Sequence, residues 1–172
     1  MSVKTIITEP NKLLREISIP VEKVDKYEQT LMDDMLETMY AANGIGLAAI
    51  QIGIPKRIIV IDISKDANNK KPIFFVNPII KEKDLEKSIY EEGCLSVPNQ
   101  FAEIERSKKC EVEYLDYQGE KKILQADGLL ATCIQHEVDH LEGILFIDYL
   151  SKLKKTMIIK KLTKIKVNRE IF

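Results

Sequence analysis

Asp127-Gly128-Leu129-Leu130-Ala131-Thr132-Cys133-Ile134-Gln135-His136-Glu137-Val138-Asp139-His140-Leu141-Glu142-Gly143 decides how the rest of the chain must be arranged. Asp127 offers an N-cap and Gly143 a stop, which predicts a helix over 128–141. On a wheel of about 100° per residue, Leu129, Cys133, His136 and His140 share one sector. Leu130, Ile134, Val138 and Leu141 fill the next, so the helix is apolar over more than half its circumference. Such a helix belongs at the centre of a fold, with the other elements packed around it. It also carries the chain's only two histidines. Four residues apart, His136 and His140 lie on one face a turn from each other, where both imidazoles can reach one metal ion. Glu137 stands beside them, where a carboxylate can handle the proton of a metal-bound water. The plainer alternative is a core helix with two hydrogen-bonded histidines, and Glu137 at that position argues against it.

Working outward, residues 28–42 repeat Leu31, Met32, Met35, Leu36 and Met39 at helical spacing, and Asn43-Gly44 tolerates a left-handed helix end. A shorter helix is expected over about 10–17, opening at Pro10 or Asn11. Arg57-Ile58-Ile59-Val60-Ile61-Asp62-Ile63 is β-branched and predicts a buried strand. Ile73-Phe74-Phe75-Val76 predicts another, cut off by Asn77-Pro78, with a polar loop from Ser64 to Lys71 between them. Strands are expected over 99–106 and 109–126, the latter folded on a turn near Gln118-Gly119. The order predicts an α+β fold: mostly antiparallel strands around a central metal-binding helix, with a C-terminal helix after it.

At 172 residues, with 45% apolar and 31% charged side chains, the composition is that of a globular protein. No apolar run approaches the roughly 20 residues that span a bilayer. The first ten residues lack a long apolar stretch and carry an acid early, unlike a signal peptide. Three widely spread cysteines argue against a disulfide framework and for a reducing cytoplasm. The net charge of −1 hides an asymmetry. Residues 151–172 hold eight Lys or Arg against Glu170, a charge of +7, which leaves −8 on residues 1–150. We therefore expect a catalytic domain over 1–150 and a basic C-terminal helix or tail over 151–172 of the same domain.

With no third histidine, the remaining metal ligand must be a cysteine or a carboxylate. Two peptidase patterns fail: Phe146 stands where a third histidine would complete HExxHxxGxxH, and 153–164 holds no acid for a downstream glutamate. Side chains on a helix lean toward its N-terminus, so Cys133 points away from a metal between the imidazoles and suits a pocket wall. Cys110, in a strand-like stretch, reads as core. Cys94 remains, in Glu91-Glu92-Gly93-Cys94-Leu95-Ser96-Val97-Pro98, where Gly and Pro favour a kinked, extended segment that projects a thiolate. An ordinary buried cysteine at a strand end stays open as the alternative. A third segment, Gly44-Ile45-Gly46-Leu47-Ala48-Ala49-Ile50-Gln51, combines small residues that permit close approach with an amide donor in Gln51. It lacks the Lys-Ser/Thr and the preceding strand of a phosphate loop.

Together the three segments resemble the peptide deformylase family, whose GφGφAAxQ, EGCLS and HExxH motifs match Gly44–Gln51, Glu92–Ser96 and His136–His140 in order. The likeness extends over most of the chain. It implies that Cys94, His136 and His140 bind one divalent metal, ferrous iron in the cell, with Zn2+, Ni2+ or Co2+ able to replace it. It implies that water takes the fourth place, that Glu137 moves its proton, and that Gln51 and the backbone N–H of Leu95 bind the oxyanion. The expected substrates are N-formylmethionyl nascent peptides, releasing formate. Ile45, Leu129 and Cys133 are candidates for the methionine slot, and backbone pairing is expected near Ile45, Gly46 and Gly93. Several relatives carry an arginine where this chain has Phe101, which implies a more apolar rim here; Arg106 is present. Ile158, Leu162 and Ile165 repeat at helical spacing among the tail's lysines, as in a helix packed on the body. The alternative for the tail is contact with ribosomal RNA. Neither a membrane nor DNA is an expected partner. The rival readings are a peptidase of internal bonds and a metal-free ribosome-binding homologue.

Overall fold

Residues Ile58–Ile61 form the strand on which the rest is built, each side chain fully buried. Its alternation sends Ile59 and Ile61 to one core and Ile58 and Val60 to another, as the period of two requires. The structure, a computed structural model, describes residues 2–170, with side chains up to residue 168; Met1 and residues 171–172 of the expected tail lie outside the described residues.

In chain order, a 3-10 turn at Lys12–Arg15 replaces the helix expected over 10–17, with the Asn11 side chain accepting from the Leu13 N–H. Helix α1 (Lys26–Ala41) starts two residues earlier than expected. Asp25 accepts from the Tyr27 N–H at 2.8 Å while its own N–H reaches Glu28, a capping box that the apolar spacing alone does not reveal. Asn43, at φ 56°, turns the chain out of the helix. Strand β1 (Gly46–Ala48) leads into a 3-10 turn over Ala49–Ile52, and β2 (Ile58–Ile61) pairs back on it with Ala48 opposite Ile59.

Strand β3 (Ile73–Lys83) runs through Asn77-Pro78 instead of stopping there. Asn77 takes φ 51° and the register to the neighbouring strand shifts between Val76 and Ile79. The Asn77 amide bridges both the N–H and the C=O of Val21, which holds the bulge and lets pairing resume. Strands β4 (Lys87–Cys94) and β5 (Val97–Ser107) form a separate two-stranded hairpin, and β6 (Lys109–Leu115) and β7 (Lys121–Asp127) return to the first sheet. Its order is β1-β2-β3-β6-β7, antiparallel throughout.

Helix α2 (Gly128–Leu141) has the expected bounds, and Gly143 leaves it at φ 71°. Asp127 makes no capping bond with its side chain. It is still paired in β7, opposite Lys109, and Gly128 at φ 55° makes the corner instead. The helix is central: Ala131, Ile134 and Leu141 pack on Ile59, Ile61 and Phe75, while α1 covers the other face of the sheet with Met32, Met35 and Met39. Each large side chain fully buried this way contributes roughly 1.5–3 kcal/mol. The hairpin packs its Val97 and Ile104 on Leu145, Phe146 and Leu162. Leu162 belongs to α3 (Lys152–Glu170), the C-terminal helix. Its apolar contacts stop there, so Ile165 of the expected Ile158–Leu162–Ile165 stripe is 43% exposed. The fold is α+β with antiparallel sheets around α2. No helix among the described residues is long and apolar enough to cross a membrane.

Candidate metal centre

Three ligand atoms converge between α2 and the end of β4. One ligand nitrogen from each of His136 and His140, and the Cys94 Sγ, all lie within 4.8 Å of one another. Cys94 Sγ stands 3.3 Å from His140 Nε2. Metal–sulfur bonds of ~2.3 Å and metal–nitrogen bonds of ~2.0–2.1 Å at tetrahedral angles would put S and N about 3.5 Å apart, so the donors fit a metal such as zinc or iron. Cys110 and Cys133 lie outside this group. Burial and the carboxylates of Glu137 and Glu92 push the Cys133 thiol up to about 12, which keeps it neutral.

The hairpin explains why Cys94 reaches α2. Leu95 and Ser96 form a two-residue turn, with Cys94 opposite Val97, and β5 then spends three extra residues before Phe101 pairs with Gly93. Asn99, at φ 59°, sits in that bulge. The Phe101 ring lies directly on Gly93, where a Cβ would stand 2.6 Å from Cε1. Any larger residue at this position would displace the ring from the cavity rim.

Burial and partners set the character of the ligands. His136 Nδ1 lies 2.9 Å from a Glu92 carboxylate oxygen, which leaves its other ring nitrogen for the metal. Burial alone would raise Glu92, but hydrogen bonds from His136 and Arg106 hold it below the usual carboxylate range. Arg106 grips Glu92 through Nε at 2.6 Å and Nη2 at 3.1 Å, and reaches Asp139 with Nη1 at 2.8 Å. Tyr149 donates to the same Asp139. His140 is fully buried, and burial together with the positive charge of Arg106 holds its imidazole well below the usual histidine range.

Glu137 points into the cavity with Oε2 lacking a hydrogen-bond partner among the described residues. Burial raises it to about 7, a value at which a carboxyl both takes and gives a proton. Its carboxyl packs against Gly46, where a Cβ would overlap Oε1 and come within 2.9 Å of Cδ. That contact ties the first glycine-rich segment to the metal helix. Gln51 is fixed at both ends: Oε1 accepts from the Ala48 N–H at 2.8 Å, and Nε2 donates to Ser96 Oγ at 3.0 Å and approaches Cys94 Sγ at 3.5 Å.

A cavity of about 490 Å3 opens in front of these groups. Ile45, Gly46, Gln51, Gly93, Cys94, Leu95, Leu129, Cys133, His136 and Glu137 all line it, and His140 lies behind, fully buried. Phe101, 66% exposed, stands at its rim. β1 ends the five-stranded sheet and β4 belongs to a two-stranded one, so each has an unpaired edge, and residues of both line the cavity. Glu92, Arg106, Asp139, Tyr149 and Ser96 belong to the site but were not assigned to it from sequence. Glu92 carried a usable signal, since residues two apart on a strand share a face and Cys94 is two residues on. Arg106 carried none, because only the fold brings it to Glu92.

The chain matches the family model of polypeptide deformylase over residues 3–156. It is 75% identical over 171 residues to a peptide deformylase of Pelagibacter ubique (strain HTCC1062), with 99% of each chain covered. It is 54% identical over 164 residues to one from Rhizobium meliloti (strain 1021), covering 95% of this chain and 94% of that one. Among solved structures, a peptide deformylase from Ehrlichia chaffeensis in complex with actinonin superposes with a TM-score of 0.91 at 46% identity. That match covers 95% of this chain and 98% of the other.

Proposed function

The chain belongs to the polypeptide deformylase family, and from that premise we propose that it hydrolyses the N-formyl group of nascent N-formylmethionyl peptides in the cytoplasm, leaving formate and a free amine. The observation that carries this reading is the convergence of a cysteine sulfur and two imidazoles at one cavity, beside a carboxyl whose Oε2 has no hydrogen-bond partner among the described residues. Cys94, His136 and His140 hold one divalent ion, ferrous iron in the cell and zinc, nickel or cobalt as substitutes. Such an ion supplies Lewis acidity and lowers the pKa of water.

The protein's own residues do the rest. Glu137 takes the proton of the attacking water and delivers it to the departing amine nitrogen, so one carboxyl serves both halves of the reaction. The Gln51 amide, locked by Ala48 and Ser96, and the Leu95 N–H stabilise the oxyanion as the formyl carbon becomes tetrahedral. Ile45, Leu129 and Cys133 accept the methionine side chain. The free edges of β1 and β4, near Gly46 and Gly93, pair with the peptide backbone. Main-chain pairing reads no side chain, which suits an enzyme whose substrates differ after the first residue.

Anaerobic purification, metal analysis and a formate-release assay on a formyl-Met tripeptide test this directly. We expect about one metal per chain, with formate and free amine in equal amounts and no internal cleavage. Cys94→Ser is expected to lower metal content and rate together. Unchanged metal and rate in Cys94→Ser, with loss of both in Cys133→Ser, would overturn the ligand assignment.

The basic helix α3 adds a partner to this reading. Lys152, Lys154, Lys160, Lys161, Lys164 and Lys166 are all exposed along it. A helix ringed by cations suits a phosphate backbone, and RNA near the site where new chains emerge is the proposed contact. Removing residues 152–172 is expected to abolish salt-sensitive co-sedimentation with ribosomes; an unchanged profile would rule the contact out.

A further inference from the structure

We propose that the segment Ile7-Thr8-Glu9 is a positioning strap that sets the distance between the two oxyanion donors. This rests on the assignment of Gln51 and the Leu95 N–H to that role. The two donors come from remote parts of the chain, the turn after β1 and the turn between β4 and β5. Neither turn belongs to the other's sheet. The Ile7 N–H donates to the Gln51 carbonyl at 2.8 Å, and the Glu9 N–H donates to the Ser96 carbonyl at 2.8 Å. The two N–H groups stand only two residues apart, just before the turn that the Asn11 N–H closes on the Thr8 carbonyl at 3.0 Å. The strap therefore ties both turns to one short piece of chain, whose covalent geometry limits how far apart they can stand.

Gln51 Nε2 also donates to Ser96 Oγ at 3.0 Å, so the backbone strap and this side-chain bond join the two turns by two separate links. The strap is itself anchored. Glu9 is buried, and Arg15 lies between its carboxylate at 3.4 Å and that of Asp148 at 2.6 Å. Ile6 packs with the core beneath α1. None of these strap residues lines the cavity, so their effect on the reaction passes through the turns they hold.

The test uses full-length enzyme loaded with metal. Ile7→Pro removes one of the two donors. Semisynthetic enzyme with the Ile7 or Glu9 amide replaced by an ester removes the same N–H while keeping every side chain. We expect kcat to fall roughly ten- to a hundredfold, with KM within about twofold, because misplacement of the donors is felt in the transition state. An ester at Thr8, whose N–H makes no hydrogen bond among the described residues, is expected to behave as wild type. In a Gln51→Ala background, which is itself expected to be slow, the Ile7 ester should cost less than about twofold in kcat. If Gln51→Ala loses no rate, the donor assignment fails and the strap with it. If Gln51→Ala is slow and the Ile7 ester costs nothing, raises KM instead, costs the same factor in both backgrounds or is matched by the Thr8 ester, the strap alone is overturned.

Discussion

Glu137→Gln is expected to retain its metal and lose roughly 10²–10⁴-fold in turnover, the range typical of removing a general acid–base group. The side chain keeps its size, so its packing against Gly46 and α2 persists, and none of the three ligand atoms is touched. What disappears is a carboxylate whose buried Oε2 has no hydrogen-bond partner among the described residues. Metal analysis beside kcat checks this: loss of metal in proportion to rate would mean that Glu137 supports the ligands instead of moving protons. Gly46→Ala supplies the complementary arm. The carboxyl stays in the chain, but the new Cβ needs the space it occupies, with Cδ only 2.9 Å away. Turnover should therefore fall although no reacting group has changed. A wild-type rate in Gly46→Ala would show that the position of the carboxyl is not critical.

The parts of this architecture that were legible in the sequence are those where burial is apolar and periodic. Helix α2 matched its expected bounds because a broad apolar face and Gly143 both mark it. Strand β2 announced itself through four consecutive β-branched residues, buried on both faces. β1 did not, since three residues of Gly-Leu-Ala carry no alternation and become a strand only by pairing with β2. β4 was silent for a chemical reason. Its inward face carries Glu92 and Cys94, residues of the site, so the periodicity of burial is there but is not apolar. At Asn77-Pro78 the local rule of strand termination lost to tertiary hydrogen bonds, as the Asn77 amide found both polar groups of Val21. The three residues whose ligand atoms converge, the glutamate beside them and the residues that line the cavity were nameable because local spacing and motif order carry them. Arg106 was not, because its meaning is a contact across the hairpin to Glu92 and on to α2, which no local pattern encodes.

That contact yields the largest expected effect on stability. Arg106 and Glu92 are 4% and 5% exposed at their side chains, so removing the guanidinium leaves a carboxylate buried with only His136 and no cation. Arg106→Met is expected to cost about 3–5 kcal/mol, a fall in Tm of roughly 10 °C for a chain of this size. The lost stacking of the guanidinium on the Tyr149 ring, 4.9 Å from its centroid, adds to this. Replacing both partners, as Arg106→Met with Glu92→Leu, should recover more than half of the loss, since no unpaired buried charge remains. Metal binding should follow the opposite order. The single variant keeps Glu92 against His136 Nδ1, whereas the double variant frees that ring to turn, at a typical cost of roughly 10- to 100-fold in metal affinity. Thermal melts and competitive metal titrations on both variants separate the two roles. A double variant that melts no higher than the single one would mean that the pair stabilises the hairpin by packing, not by compensating charge. If instead stability and metal affinity cross over as expected, Arg106 keeps a charged site folded and Glu92 aims the ligand, two tasks that the chain assigns to one buried ion pair.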